Sequence, residues 1–241
     1  MVQLAKVFQL LLAALLLVPA ASEDLSEGLA KDDECSAGEE GCGLNALQLR
    51  GAAVDEEELE VQELGDNDTD ADLSSAPDGY LAMKCRNRGY CVMGGYLVVA
   101  GRPDAIGMES INAGDAGYYN SMMSAADRYC GGPSCVLITN PMHHRTQSRF
   151  HIHFRHYNGH GAALKSRMEK AVCGKSGWHK GGFPCGGKAA YFSHFPGVFS
   201  ASMGAGSLAH AAVSVWPSSC HGGTIILVSF HCSIEHSISN R

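Results

Sequence analysis

Acidic residues are scarce in the C-terminal two thirds of this 241-residue chain. Residues 79–241 hold six of them against 15 basic residues, a net charge of +9. Histidine is absent before position 143, and all 12 histidines fall between His143 and His236. None of the ten cysteines sits in a CxxC pair, which weakens a zinc-site reading. Long apolar runs are missing apart from residues 7–18, so a multi-span membrane protein is excluded. Glycine periodicity and heptads are missing as well, which excludes a collagen or a coiled coil. What remains is a globular composition, 45% hydrophobic and 18% charged, too apolar for a wholly disordered chain.

Three regions follow. Residues 1–22 combine Lys6, a 12-residue apolar stretch and the small residues of VPAAS, the pattern of a secretory signal peptide. Twelve residues fall short of the ~20 that a bilayer crossing takes; the alternative is an uncleaved anchor that holds the protein beside a membrane. Residues 23–78 carry 19 acidic residues against Lys31 and Arg50, a net −17. Such a segment buries too little to fold and is predicted to be disordered. It contains the glycosylation sequon Asn67-Asp68-Thr69, and Cys35 and Cys42 could close a small loop. It reads either as a propeptide or electrostatic lid, or as a solvated spacer. Residues 79–241 are the folded domain. Their positive charge favours an anionic partner such as phosphate, a nucleotide or acidic lipid; a nucleic acid is not expected.

Within the domain, YLVVA (96–100), VLIT (136–139), 211–216 and 224–230 read as strands, and residues 149–155 alternate strictly as a fifth. Apolar residues at helical spacing predict a helix over 116–130, with Asp115 as N-cap and Gly131-Gly132-Pro133 as its stop. Leu164, Met168 and Val172 predict a second helix ending at Gly174. Residues 174–206 read as loop. The stretch Asn158-Gly159-His160-Gly161 reads as a turn, or as a phosphate-binding nest. The order implies one α+β domain with a mainly antiparallel sheet and flanking helices. Eight of the cysteines lie here, an even number that argues for disulfides in a secreted chain. The simplest pairing is local: 85–91, 130–135, 173–185 and 220–232.

Chemistry concentrates in residues 140–155. On a strand beginning at Arg149, Phe150, Ile152 and Phe154 face the core, while Arg149, His151, His153 and Arg155 share the other face about 7 Å apart. A neutral imidazole is a competent nucleophile at physiological pH. Attack on phosphorus gives a phosphohistidine, and fixed donors (Arg145, Gln147, the backbone around Ser148, Arg149) would hold the non-bridging oxygens.

The segment Thr146-Gln-Ser-Arg-Phe-His-Ile-His153 resembles the histidine-triad superfamily. Within it the spacing from Asn140 through Arg145-Thr146-Gln147 to His153 is similar to the CDP-diacylglycerol pyrophosphatase family. The resemblance implies a HIT-like fold and hydrolysis of CDP-diacylglycerol to CMP and phosphatidate, with no cofactor and no metal. It implies His151 as nucleophile, His153 as support for the phosphate or leaving group, and Asn140 and Gln147 as orienting and phosphate-binding residues. Arg149 stands where the family has the first histidine; arginine cannot accept a hydrogen bond but can hold phosphate bidentately. The substrate implied is a nucleotide-lipid, met at a membrane surface. Two other readings stay open. One is the same fold acting on soluble nucleotide pyrophosphates. The other is a non-catalytic, His-rich domain binding metal or anions, with a third zinc ligand from His143, His144 or His156. His231-Cys232-Ser233 resembles half of a two-histidine phosphoesterase motif, but its partner motif is missing.

Overall fold

The computed structural model describes residues 61–63, 76–86 and 88–239. The leader, most of the acidic segment, the sequon, and Cys35 with Cys42 lie outside the described residues. Nine strands form one sheet: β1 Val61–Glu63, β2 Tyr90–Met93, β3 Leu97–Ala100, β4 Cys135–Thr139, β5 His151–His156, β6 His179–Lys180, β7 Lys188–Phe192, β8 Ala211–Pro217 and β9 Thr224–Phe230. Their order across the sheet is β1-β2-β3-β5-β4-β8-β9-β7-β6. β2 to β6 are antiparallel throughout, and β1 joins β2 in parallel. The helices are α1 Tyr80–Lys84, α2 Ala116–Tyr129, α3 Gly159–Val172, α4 Val198–Ser202 and α5 Glu235–Ile238.

The central strands read as unbroken apolar runs because both faces of the sheet are covered. Leu137, Ile152, Phe154, Val213 and Val228 pack on one face with Tyr119, Met122 and Met123 of α2 and Phe199 of α4. On the other face Val136, Ile138, Ile225 and Leu227 pack with Leu164, Met168 and Val172 of α3, and with Ile234 and Ile238 around α5. Farther along that second face, Leu97 and Val99 pack with Leu81 of α1. The α+β architecture with an antiparallel sheet is therefore as expected.

Four local expectations change. Residues 174–206 hold β6, β7 and α4 rather than loop alone. β7 contains two alanines whose small side chains are buried, and it is flanked by glycine and polar residues, so it carries little of the branched apolar signal that marks a strand. β2 was not read from the sequence; it pairs with β3, Met93 opposite Leu97, through Gly94-Gly95-Tyr96, where the Tyr96 amide donates to the Met93 carbonyl at 3.2 Å and both glycines have positive φ (58° and 67°), a backbone that glycine adopts without strain. Residues 158–161 open α3, where the Asn158 side chain accepts from the Gly161 amide at 3.0 Å. A nest or free turn is thus replaced by a helix cap. Asp115 does precede α2, but its carboxylate accepts from the Asn112 amide at 3.0 Å and makes no side-chain bond to the helix.

Among the described residues the disulfides are Cys85–Cys91, Cys130–Cys135, Cys173–Cys220 and Cys185–Cys232. The first two are the local pairs expected. The other two correct the expected 173–185 and 220–232. The β7–β9 register, with Lys188 opposite Val228, brings Cys185 to the end of β9 and Cys232. The end of α3 meets the β8–β9 turn, where Glu169 accepts from the Ser219 amide at 2.7 Å, and this seats Cys173 beside Cys220. Within the segment expected to be disordered, Val61–Glu63 pairs with β2. An edge strand presents unpaired backbone groups that another strand satisfies.

Candidate functional site

β5 carries the two central histidines. Its core-facing residues Ile152 and Phe154 pack on the α2 side, so alternation turns His151, His153 and Arg155 to the other face. There the His151 and His153 rings lie 5.0 Å apart, edge to face. The strand begins at His151, not at Arg149 as expected. Phe150 is fastened separately, its amide donating to the Ala105 carbonyl and its carbonyl accepting from Ala100. Arg149 consequently leaves the histidine face; its guanidinium donates to the Arg102 carbonyl.

His151 is 9% exposed. Its Nδ1 lies 2.7 Å from the Arg149 carbonyl. A carbonyl only accepts, so Nδ1 bears the proton and Nε2 keeps its lone pair. Burial, reinforced by neighbouring His153 and weakly by Arg145, lowers the pKa of His151 to about 4. The ring is neutral at physiological pH, and its orientation is fixed by backbone.

Sequence reasoning missed Glu235. This carboxylate is 6% exposed and lies 2.9 Å from Nδ1 of His153. The Arg155 Nε donates to it at 3.3 Å and the Asn140 amide at 2.6 Å. Burial alone would raise the pKa of Glu235, but His153, Asn140 and Arg155 outweigh it and hold the carboxyl well below its usual range. Asn140 is fixed from its other end, since Ser233 donates to its Oδ1 at 2.7 Å. Ser233 thus serves this network, not a second phosphoesterase motif. Arg155 also lies over the Tyr96 ring, 4.3 Å from its centroid. The one available signal for Glu235 was its rarity, as one of six acids in the domain.

The other expected phosphate ligands are engaged by protein partners. The Gln147 amide donates to the Ala76 and Pro77 carbonyls at 3.0 and 2.9 Å and accepts from the Leu81 amide. The Ser148 amide and hydroxyl both donate to Asp78, at 2.7 and 2.5 Å. These bonds lower the pKa of Asp78. Arg145 makes a two-pronged ion pair with Glu109. A side chain at Gly107 would collide with that guanidinium at 2.0 Å. The structure therefore brings together His151, His153 and Asn140, adds Glu235 and Arg155, and places Gln147 and Ser148 under the 76–81 segment.

A zinc site would need a third ligand beside His151 and His153. His156 instead bonds to Ser134 at 2.8 Å, and His143 stacks on His210. Among the described residues no three His, Cys, Asp or Glu side chains converge to hold a metal ion.

Chemically, the arrangement offers a neutral, backbone-oriented imidazole with a free Nε2, beside a second imidazole paired with a carboxylate. The first can attack an electrophile, and the second can carry a proton for a departing group. No family model and no curated protein matches the chain.

Proposed function

We propose that this protein is a phosphoric-anhydride hydrolase of the histidine-triad type, acting on CDP-diacylglycerol to give CMP and phosphatidate. The observation that carries the reading is the Nδ1 bond of His151 to the Arg149 carbonyl, which leaves Nε2 as a lone-pair donor on a rigid strand. In the proposed reaction Nε2 attacks one phosphorus of the anhydride. A P–N bond forms, the bridging P–O bond breaks, and the departing phosphate takes a proton through His153. Water then attacks the phosphohistidine, the P–N bond breaks, and His151 is restored. Glu235 and Asn140 position His153. A phosphate reaching the Ser148 donors has to displace the Asp78 carboxylate. The nucleotide-lipid specificity rests on the resemblance around residues 140–153.

The secretory route fits this reading. Four disulfides suit an oxidising compartment, and among the described residues no helix is long and apolar enough to cross a membrane. The decisive experiment incubates the chain with substrate labelled in either phosphorus and quenches in alkali. An acid-labile phosphohistidine is expected in the wild type and absent in His151→Ala, whose turnover falls at least ~10³-fold. Full turnover by His151→Ala overturns the assignment. Running CDP-diacylglycerol beside a soluble nucleotide pyrophosphate decides between lipid and soluble substrates.

A further inference from the structure

Four guanidinium groups surround one open cleft of about 570 Å³ that has no histidine among its described lining residues. Arg86, Arg88, Arg102 and Arg149 line it with Ala82 and Met83, and none of the described lining residues is acidic. The grouping is held by the backbone. Cys85–Cys91 closes the loop that bears Arg86 and Arg88. The Gly101 amide donates to the Gly89 carbonyl at 3.1 Å. A Cβ on Gly101 would lie 1.8 Å from the Arg88 carbonyl, so only glycine lets this loop approach Arg102 so closely. Arg102 is set by stacking 4.7 Å over Tyr118 and by its ion pair with Asp104. Arg149 is set by the Arg102 carbonyl.

Asp104 offsets one charge. Arg88 keeps a buried Nη1 without a hydrogen-bond partner, a costly state for a donor removed from water. Four like charges share a cleft with no anion among its described lining residues, and guanidinium is the group whose planar fork matches phosphate oxygens. We propose that this cleft is a binding site for a phosphate-bearing anion, distinct from the histidine site. The exposed Met83, 65% accessible, provides an apolar shoulder beside the charged floor. A soluble phosphate ester and a phosphorylated lipid headgroup present the same chemistry to it.

The test reads binding, not turnover, and so stands or falls apart from the hydrolase reading. The full chain is titrated calorimetrically with inorganic pyrophosphate at low salt. Binding is expected in the wild type and in His151→Ala alike. It is expected to weaken about tenfold in Arg86→Ala and further in Arg86→Ala/Arg88→Ala. Arg128→Ala removes a cation from exposed α2 surface, outside the cleft, and should bind as the wild type does. No pyrophosphate binding, unchanged affinity in the double variant, or an equal loss in Arg128→Ala overturns the proposal. Co-sedimentation with phosphatidylcholine vesicles containing phosphatidate separates the sources. Pelleting that pyrophosphate competes away assigns a lipid headgroup; pyrophosphate binding without pelleting assigns a soluble ester.

Discussion

At the scale of single residues, the site depends on the contrast between two imidazoles two positions apart. His151 is pressed into the protein and tied to backbone; His153 faces a carboxylate. This contrast has a sign in pH. The folded pKa of His151, about 4, lies below the ~6.5 of a free imidazole. The unfolded chain therefore takes up the proton first as pH falls. The stability His151 contributes is complete above pH ~6.5 and is lost on descending toward about 4, roughly 3 kcal/mol in all. Denaturant melts at pH 7 and pH 4.5 should show this loss in the wild type and a smaller one in His151→Asn. Equal losses would show that the ring is not held neutral. On the proposed hydrolase reading the same ring sets the acid limb of kcat/KM near pH 4, so activity should persist at pH 5.5. Glu235→Gln keeps the shape and removes the charge facing His153 and Arg155. It should lower kcat about 10- to 100-fold and stability by about 1–3 kcal/mol, read from kinetics and melts on one preparation. An unchanged kcat would make Glu235 a structural anchor only.

At the scale of elements, a short helix depends on a single side chain. α1 has five residues, too few to hold themselves, and the buried Gln147 makes three bonds to the 76–81 backbone. Gln147→Ala takes the partner from the Ala76 carbonyl and the Leu81 amide and leaves the Pro77 carbonyl to the Tyr80 amide alone, at a cost of about 2–4 kcal/mol. Hydrogen exchange should quicken first at Leu81 and its neighbours; exchange as slow as in the wild type would show that α1 rests on the Leu81 contacts instead. Elements also explain what could be read in advance. β3, β4, β8 and β9 were legible because two covered faces demand unbroken apolar runs, and His151 and His153 because a strand alternates. Arg149 fell outside that alternation because Phe150 is pinned between Ala100 and Ala105, so the strand begins two residues later, at His151. β7 was hidden because alanine carries little strand signal of its own.

At the scale of the whole molecule, tertiary contacts overrode sequence proximity. Nothing local links Asn140 to Glu235, 95 residues apart, so the carboxylate of the site was out of reach of motif spacing. The same holds for Cys173–Cys220 and Cys185–Cys232, each spanning 47 positions, which a nearest-neighbour pairing misses. Each long bridge restricts the unfolded chain by about 4 kcal/mol in the chain-entropy account. Replacing Cys173 and Cys220 by serine together should lower the unfolding free energy by roughly 2–4 kcal/mol in denaturant titration. The paired change is expected to cost about 2 kcal/mol more than Cys85→Ser/Cys91→Ser, which opens a loop of six; the reverse ranking would show that loop length does not govern these bridges.

The distance in sequence between Asn140 and Glu235 also sets a timetable. As the chain leaves the ribosome, the histidine strand emerges first and waits for β8, β9 and the Ser233–Glu235 turn before its counter-charge exists. A nascent chain arrested short of that turn holds His151 and His153 without the Glu235 carboxylate, so the constellation is complete only with the last pieces of the sheet already in place.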